Sequence, residues 1–271
     1  MRVIYDRPGE YADLGLNPYA GCSHRCRYCY NQRVDRQQDL PYNRPAKNAS
    51  LKNIEHDLQI LQSTHDKRPV HISFVGDPYD MGRKGDDKPT GLFQYLSDDE
   101  LRANPRATDN YVRTVLNMFR AYDQPFQILT KGGMLAAKDF DLYTPQDKFG
   151  VTLTFDNDVD SKKWEPGAAL PSDRIAALKE ARRCNIRTWV SMEPVIVPEQ
   201  TLRLIELTYE FVDFFWVGKL NRKPEATWTQ PEEWPTVDWP KFRSEVEEVL
   251  QRCGKEPGVG YQLKHQLREA R

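Results

Sequence analysis

Three cysteines stand within eight positions, in the order Cys22-Ser-His-Arg-Cys26-Arg-Tyr-Cys29, with Tyr30 following directly. Thiolates packed this closely can wrap one metal centre while leaving a coordination position that no cysteine fills. Structural zinc asks for four ligands, usually in two separated pairs, and His24 is the only nearby fourth donor. It lies between two of the cysteines, where closing a tetrahedron is awkward. A redox Cys-x-x-Cys pair uses Cys26 and Cys29 but leaves Cys22 without a role. An iron–sulfur cluster fits the spacing best. Such clusters normally take four cysteines, so three leave one iron open to a ligand that donates through oxygen and nitrogen.

The rest of the chain must place that loop. Short apolar or β-branched runs at 14–20, 70–75, 126–129, 149–155, 186–192 and 212–217 alternate with apolar periodicities of helical type. The helices are expected at 48–63, 111–122, about 134–142, 173–184 with Ser172 as N-cap, 200–211 and 241–253. About six β/α alternations imply an α/β fold with a parallel sheet and helices outside it. The pattern alone admits an open sheet or a curved partial (β/α)6 barrel of the TIM type. In both, chemistry gathers at the carboxyl ends of strands. The cysteine loop, Gly76-Asp77, Thr130-Lys131, Thr154 and Glu193-Pro194 all fall at or just past such ends.

The 271 residues are expected to form one large domain over 1–220, with a polar insertion at about 80–110 and a C-terminal extension, 221–271, packed on it. That extension carries Trp228, Trp234 and Trp239. Net charge is −1, so the whole chain has no electrostatic bias toward nucleic acid or membrane. Arg25, Arg27, Arg33, Arg36, Arg44 and Lys47 do form a local basic cluster around the cysteine loop. Tyr42, Tyr79 and the late tryptophans are candidates for stacking on a base. Five cysteines make no disulfide framework, the N-terminus has no apolar leader, and no run is long enough to span a membrane. A reducing cytoplasm fits these features.

Residues 17–30, Asn-Pro-Tyr-Ala-Gly-Cys-Ser-His-Arg-Cys-Arg-Tyr-Cys-Tyr, resemble the radical SAM superfamily and, within it, the spore photoproduct lyase group. Gly76-Asp77-Pro78-Tyr79, Thr130-Lys131, and Trp164-Glu165-Pro166-Gly167 through Asp173-Arg174-Ile175 resemble further elements of that group. The resemblance implies a 4Fe–4S cluster on Cys22, Cys26 and Cys29, with S-adenosylmethionine (SAM) chelated at the open iron. Reduction would cleave SAM to a 5′-deoxyadenosyl radical, with a flavodoxin or ferredoxin as electron donor. It implies cofactor contacts from Tyr28, Gly76, Asp77, Lys131, Thr152, Arg174 and Glu193, and a hydrogen relay through Tyr30 and Tyr28.

One position departs from the group. Its catalytic cysteine, three residues before the Asp, is Phe74 here. The expected function is hydrogen abstraction, with DNA or another nucleic acid as substrate in a lyase-like repair reaction. The alternatives are a radical SAM enzyme acting on a peptide or small metabolite, and a metal-binding nucleic-acid protein without turnover.

Overall fold

The computed structural model describes residues 2–20, 22, 24–29, 44–45, 49–80, 111–220 and 234–270. The strands are β1 (Ile4–Gly9), β2 (Ala12–Leu16), β3 (Tyr19–Ala20), β4 (Arg44–Pro45), β5 (Val70–Ile72), β6 (Phe126–Thr130), β7 (Lys148–Thr152), β8 (Arg187–Met192), β9 (Phe214–Val217) and β10 (Tyr261–Leu263). The α-helices are α1 (Leu51–Ser63), α2 (Tyr111–Ala121), α3 (Asp158–Trp164), α4 (Pro171–Arg183), α5 (Pro198–Thr208), α6 (Trp239–Arg252) and α7 (His265–Arg268), with a 3-10 helix at Gly133–Leu142.

Eight strands form one sheet in the order β1-β2-β5-β6-β7-β8-β9-β10, all parallel except β1, which forms a hairpin with β2. This is a partial TIM-type barrel. Its two sheet edges, β1 and β10, share no ladder. Side chains alternate across a strand, and the alternation here is strict. Val70, Ile72, Phe126, Ile128, Phe149, Val151, Val190, Met192, Phe215 and Val217 point outward into the core shared with the helices. The intervening positions, among them His71, Gln127, Lys131, Thr152, Trp189, Ser191, Glu193, Trp216 and Lys264, point into the lumen. A smaller apolar cluster of Cys26, Tyr28, Phe155, Trp164 and Ile196 caps the carboxyl-end mouth.

Several boundaries differ from the sequence expectation. Helix α4 starts at Pro171, capped by the Leu170 backbone and not by Ser172, because proline presets the first helical turn and needs no hydrogen bond there. The segment after β6 is a 3-10 helix. Its start is pressed against α4, where Met134 N–H donates to Asp173 at 3.1 Å. The strand read over 149–155 closes at Thr152, and its next residues turn into the unanticipated α3. Strand β10, inside the segment assigned to the extension, pairs with β9. Residues 81–110 of the polar insertion and 221–233 lie outside the described residues. Among those described, no helix is long and apolar enough to cross a membrane.

Candidate functional site at the barrel mouth

The cysteine loop starts just after β3 and lies within the connection to its partner β4. The turn after α3 grips it through backbone bonds. Arg27 N–H donates to Trp164 O at 2.8 Å, and Gly167 N–H donates to His24 O at 3.0 Å. Within the loop, Cys29 N–H donates to Cys26 O at 3.0 Å. Cys26 is buried, while Cys22 and Cys29 are half-buried. Burial pushes the Cys26 thiol up to about 12; Glu165 and Cys29 add to this, while Lys131 and Arg174 oppose it. Burial, then Asp80 and Asp77, likewise raise Cys22.

Among the described residues, no three His, Cys, Asp or Glu side chains converge on one point as metal ligands. Protonated thiols have no mutual attraction, and a metal draws them together as it displaces their protons. Three thiols on one short docked loop, with a lysine beside them, are a donor set that fits an iron–sulfur cluster better than zinc.

A second knot ties the strand ends together. Asp77 Oδ1 accepts from Thr130 Oγ1 at 2.5 Å and from Tyr79 N–H at 2.8 Å, and its Oδ2 accepts from Lys131 N–H at 2.7 Å. Buried His24 approaches from the cysteine loop, Nδ1 lying 3.5 Å from Asp77 and Nε2 3.9 Å from Asp80. The loop after β5 is pinned by Asn17 Oδ1, which accepts from Phe74 and Val75 N–H at 2.7 and 2.8 Å. Gly76 turns it with φ +87°, a conformation costly for any residue with a Cβ.

A third group is fully buried. Arg174 donates to Ala169 O at 2.7 Å, Thr152 O at 2.9 Å and Glu165 Oε2 at 2.6 Å. The other oxygen of Glu165 accepts from the Tyr28 hydroxyl, which also lies 3.4 Å from Thr154 Oγ1. Burial disfavours the Glu165 carboxylate, but Arg174 and Lys131 more than offset it and hold its pKa below the usual range. Burial also works against the Lys131 ammonium, yet Cys26, Glu165 and Asp77 keep its pKa above the ordinary lysine value. The Lys131 Nζ stands 5.7 Å from the Tyr28 ring centre.

Cys22, Cys26, Cys29, Tyr28, Gly76, Asp77, Lys131 and Thr152 therefore gather at one mouth. Arg174 spends all three guanidinium nitrogens inside the wall. Glu193 belongs to a different group, in which its carboxylate meets Tyr11 and Lys264. Tyr79, a stacking candidate, is buried and donates to Asp139 at 3.0 Å. Trp234 packs on Trp164 at 5.2 Å and Trp239 on Phe242 at 6.1 Å. Tyr30, Arg33, Arg36, Tyr42, Lys47 and Trp228 lie outside the described residues, as does the side chain of Arg44.

The contributions of Tyr11 and Lys264 were missed. In the sequence Glu165 stands out only as part of a motif, and His24 only as a spare zinc ligand. Strand parity was the one available signal for Lys264, since the alternation Tyr261-Gln262-Leu263-Lys264 turns the lysine away from the helix-side core.

Residues 16–212 match the radical SAM superfamily. An uncharacterized protein of Methanocaldococcus jannaschii is 23% identical over 214 residues, which are 77% of this chain and 70% of that one. The structure of a spore photoproduct lyase complexed with dinucleoside spore photoproduct is similar, with TM-score 0.67 and 12% identity over 96% of this chain and 78% of the lyase. Streptococcus suis SuiB bound to S-adenosylmethionine gives TM-score 0.59 and 14% identity over 92% of this chain. The present chain spans about half of SuiB, 49% of its length.

Proposed function

The chain belongs to the radical SAM superfamily, and on that premise we propose that it abstracts hydrogen from its substrate with a 5′-deoxyadenosyl radical. When bound, a 4Fe–4S cluster and SAM supply the one-electron reduction that cleaves the sulfonium and yields that radical. The observation that carries the reading is the docking of a three-cysteine loop beside Lys131, at the mouth of a barrel whose strand ends are tied by Asp77.

Cys22, Cys26 and Cys29 would hold the cluster. Lys131 offsets thiolate charge beside Cys26 and is the cation for the methionine carboxylate. Gly76 would offer backbone to the cofactor's amino group, and Asp77 holds that rim in place. Tyr28 fixes the loop through Glu165, with its ring beside Lys131. Thr152 and Arg174 build the wall behind it, and Glu193 faces the lumen where substrate would sit. The apolar cap around Cys26 excludes water from the radical's path.

For the substrate, the likeness to spore photoproduct lyase supports a nucleic acid and a DNA-repair role, served in the cytoplasm by a flavodoxin or ferredoxin. Phe74 favours a second reading, a peptide or small metabolite. At the position of the group's catalytic cysteine it presents an aromatic ring 4.1 Å from that of His71, and no hydrogen donor.

Anaerobic reconstitution tests the common premise. A brown protein with about four irons per chain, giving 5′-deoxyadenosine on reduction with SAM, is expected. Lys131→Ala should weaken SAM binding and spare the iron. A chain that takes zinc, or one that loads iron yet cleaves no SAM, would sink the assignment. Salt-dependent DNA binding supports the first substrate, and negligible binding at low salt supports the second.

A further inference from the structure

The loop that carries Gly76 and Asp77 is anchored at both of its ends. At its start Asn17 Oδ1 accepts from Phe74 and Val75 N–H, and the Asn17 amide donates in turn to the Tyr5 hydroxyl at 2.7 Å. At its end stands Tyr79, which is buried and bonded twice. Its backbone N–H belongs to the Asp77 knot, 2.8 Å from Oδ1. Its hydroxyl, at the far end of the ring, donates to Asp139 Oδ2 at 3.0 Å. Asp139 sits on the 3-10 helix that follows Lys131. The other Asp139 oxygen accepts from Arg113 Nη1 of α2 at 3.1 Å. Arg113 also donates to Lys138 O at 3.0 Å and to the Asp141 carboxylate at 2.8 and 2.6 Å.

Two segments therefore meet through Tyr79. One carries Gly76 and Asp77, the rim for the cofactor's amino group. The other carries Lys131, the cation for its carboxylate. Those two groups of SAM share one carbon, so the segments must keep a fixed spacing to hold both at once. Bonds from Asp77 to Thr130 and Lys131 set that spacing at the rim. The Tyr79–Asp139 bond sets it a second time, behind the rim. Asp139 is wholly enclosed. A carboxylate so placed is costly unless its oxygens are bonded, which fixes Tyr79 and Arg113 around it.

We propose that Asp139 is a positioning residue for the methionine end of SAM: held by Arg113 and acting through the Tyr79 hydroxyl, it fixes the Gly76–Asp77 loop relative to Lys131. The proposal rests on the radical SAM reading for the identity of the ligand. A carboxylate elsewhere in the barrel offers the contrast. Asp147 is as deeply buried, and it too pairs with an arginine, Arg120, at 3.1 Å. Its partners include Phe126 N–H at 2.9 Å and Thr144 N–H at 2.7 Å, at or just before the amino ends of β6 and β7, opposite the mouth. Both carboxylates support the fold, and Asp139 alone of the two is bonded to the loop that carries Asp77.

The test measures SAM binding to the iron-reconstituted full chain by equilibrium dialysis, for Tyr79→Phe, Asp139→Asn and, as control, Asp147→Asn. An Asn side chain has one acceptor oxygen, so it cannot serve donors on both sides as either aspartate does. Tyr79→Phe removes a single hydroxyl and keeps the Asp139–Arg113 pair, so the test stays readable if Asp139→Asn does not fold. Tyr79→Phe and Asp139→Asn should weaken SAM binding about three- to tenfold at unchanged iron content. Asp147→Asn should lower the urea midpoint and leave SAM affinity within about twofold of wild type. In the iron-free chain, hydrogen exchange of the 74–79 backbone should quicken in the first two variants and not in the control. Wild-type SAM affinity or unchanged exchange in Tyr79→Phe, or an equal loss of affinity in Asp147→Asn, would overturn the proposal and leave the radical SAM reading standing. A wild-type chain that loads iron and binds no SAM would overturn both.

Discussion

The hydroxyl of Tyr28 donates to the carboxylate of Glu165 although 137 positions separate them. Arg174 holds the opposite oxygen at 2.6 Å, so a residue of the cysteine loop is anchored to an ion pair inside the wall. The two sides of this anchor should not be equally costly to break. Tyr28→Phe leaves the Glu165–Arg174 pair intact and should cost about 1–2 kcal/mol. Glu165→Ala strands a buried guanidinium and should cost about 3–5 kcal/mol. Urea unfolding of the two variants checks the order, and an equal loss would place the anchor's strength in the phenol.

The cysteines should separate cleanly by position. Replacing any one of Cys22, Cys26 or Cys29 by Ala should abolish SAM cleavage and deplete iron. Cys184→Ser, at the exposed C-cap of α4, and Cys253→Ser, at the C-cap of α6, should change neither. Iron content and 5′-deoxyadenosine yield, measured on all five, give the answer.

Gly132 lies against the loop that carries Asp77. A Cβ at this position would stand 2.3 Å from Tyr79 O, a backbone atom that cannot swing aside. Gly132→Ala should therefore push the Asp77–Tyr79 turn away from Thr130 and Lys131. We expect a loss of more than about 2 kcal/mol together with weaker SAM binding, read by thermal unfolding and by equilibrium dialysis.

His71 should make the fold acid-sensitive. Its pKa is about 3 in the folded chain against an ordinary 6.5, so the unfolded chain binds the extra proton between those values. Its contribution is fully present above 6.5 and is lost progressively as pH falls toward 3. From about pH 7.5 to about pH 5 the loss should be about 2 kcal/mol. His71→Phe should remove that increment from the difference between urea midpoints at the two pH values. An unchanged difference would mean that other groups carry the acid sensitivity.

Much of the site was legible before any fold was known. Lys131 and the Asp77 turn declared themselves by standing at strand ends. Arg174 and Glu193 were legible as polar residues near the mouth, but their partners were not. Arg174 turned out to be wholly enclosed, because its helix packs its inner face on β7 and the guanidinium finds carbonyls there before it finds the mouth. Strands β1 and β10 leave no clear signal in the sequence, being short or lacking a clear apolar alternation, and the single run expected over 14–20 is split between β2 and β3.

The amino-acid sequence by itself determined the three-cysteine loop, the order of α/β units and which side of each strand faces the helices. These depend on spacing within a few residues, where covalent geometry and the two-residue period of a strand leave few choices. Tertiary structure alone decided that Tyr28 meets Glu165, and that Tyr11 reaches Glu193 across 182 positions with Lys264 above its ring. Such pairs arise from strand order, register and the approach of two sheet edges. Those are set by the packing of the whole barrel, and no local pattern encodes them.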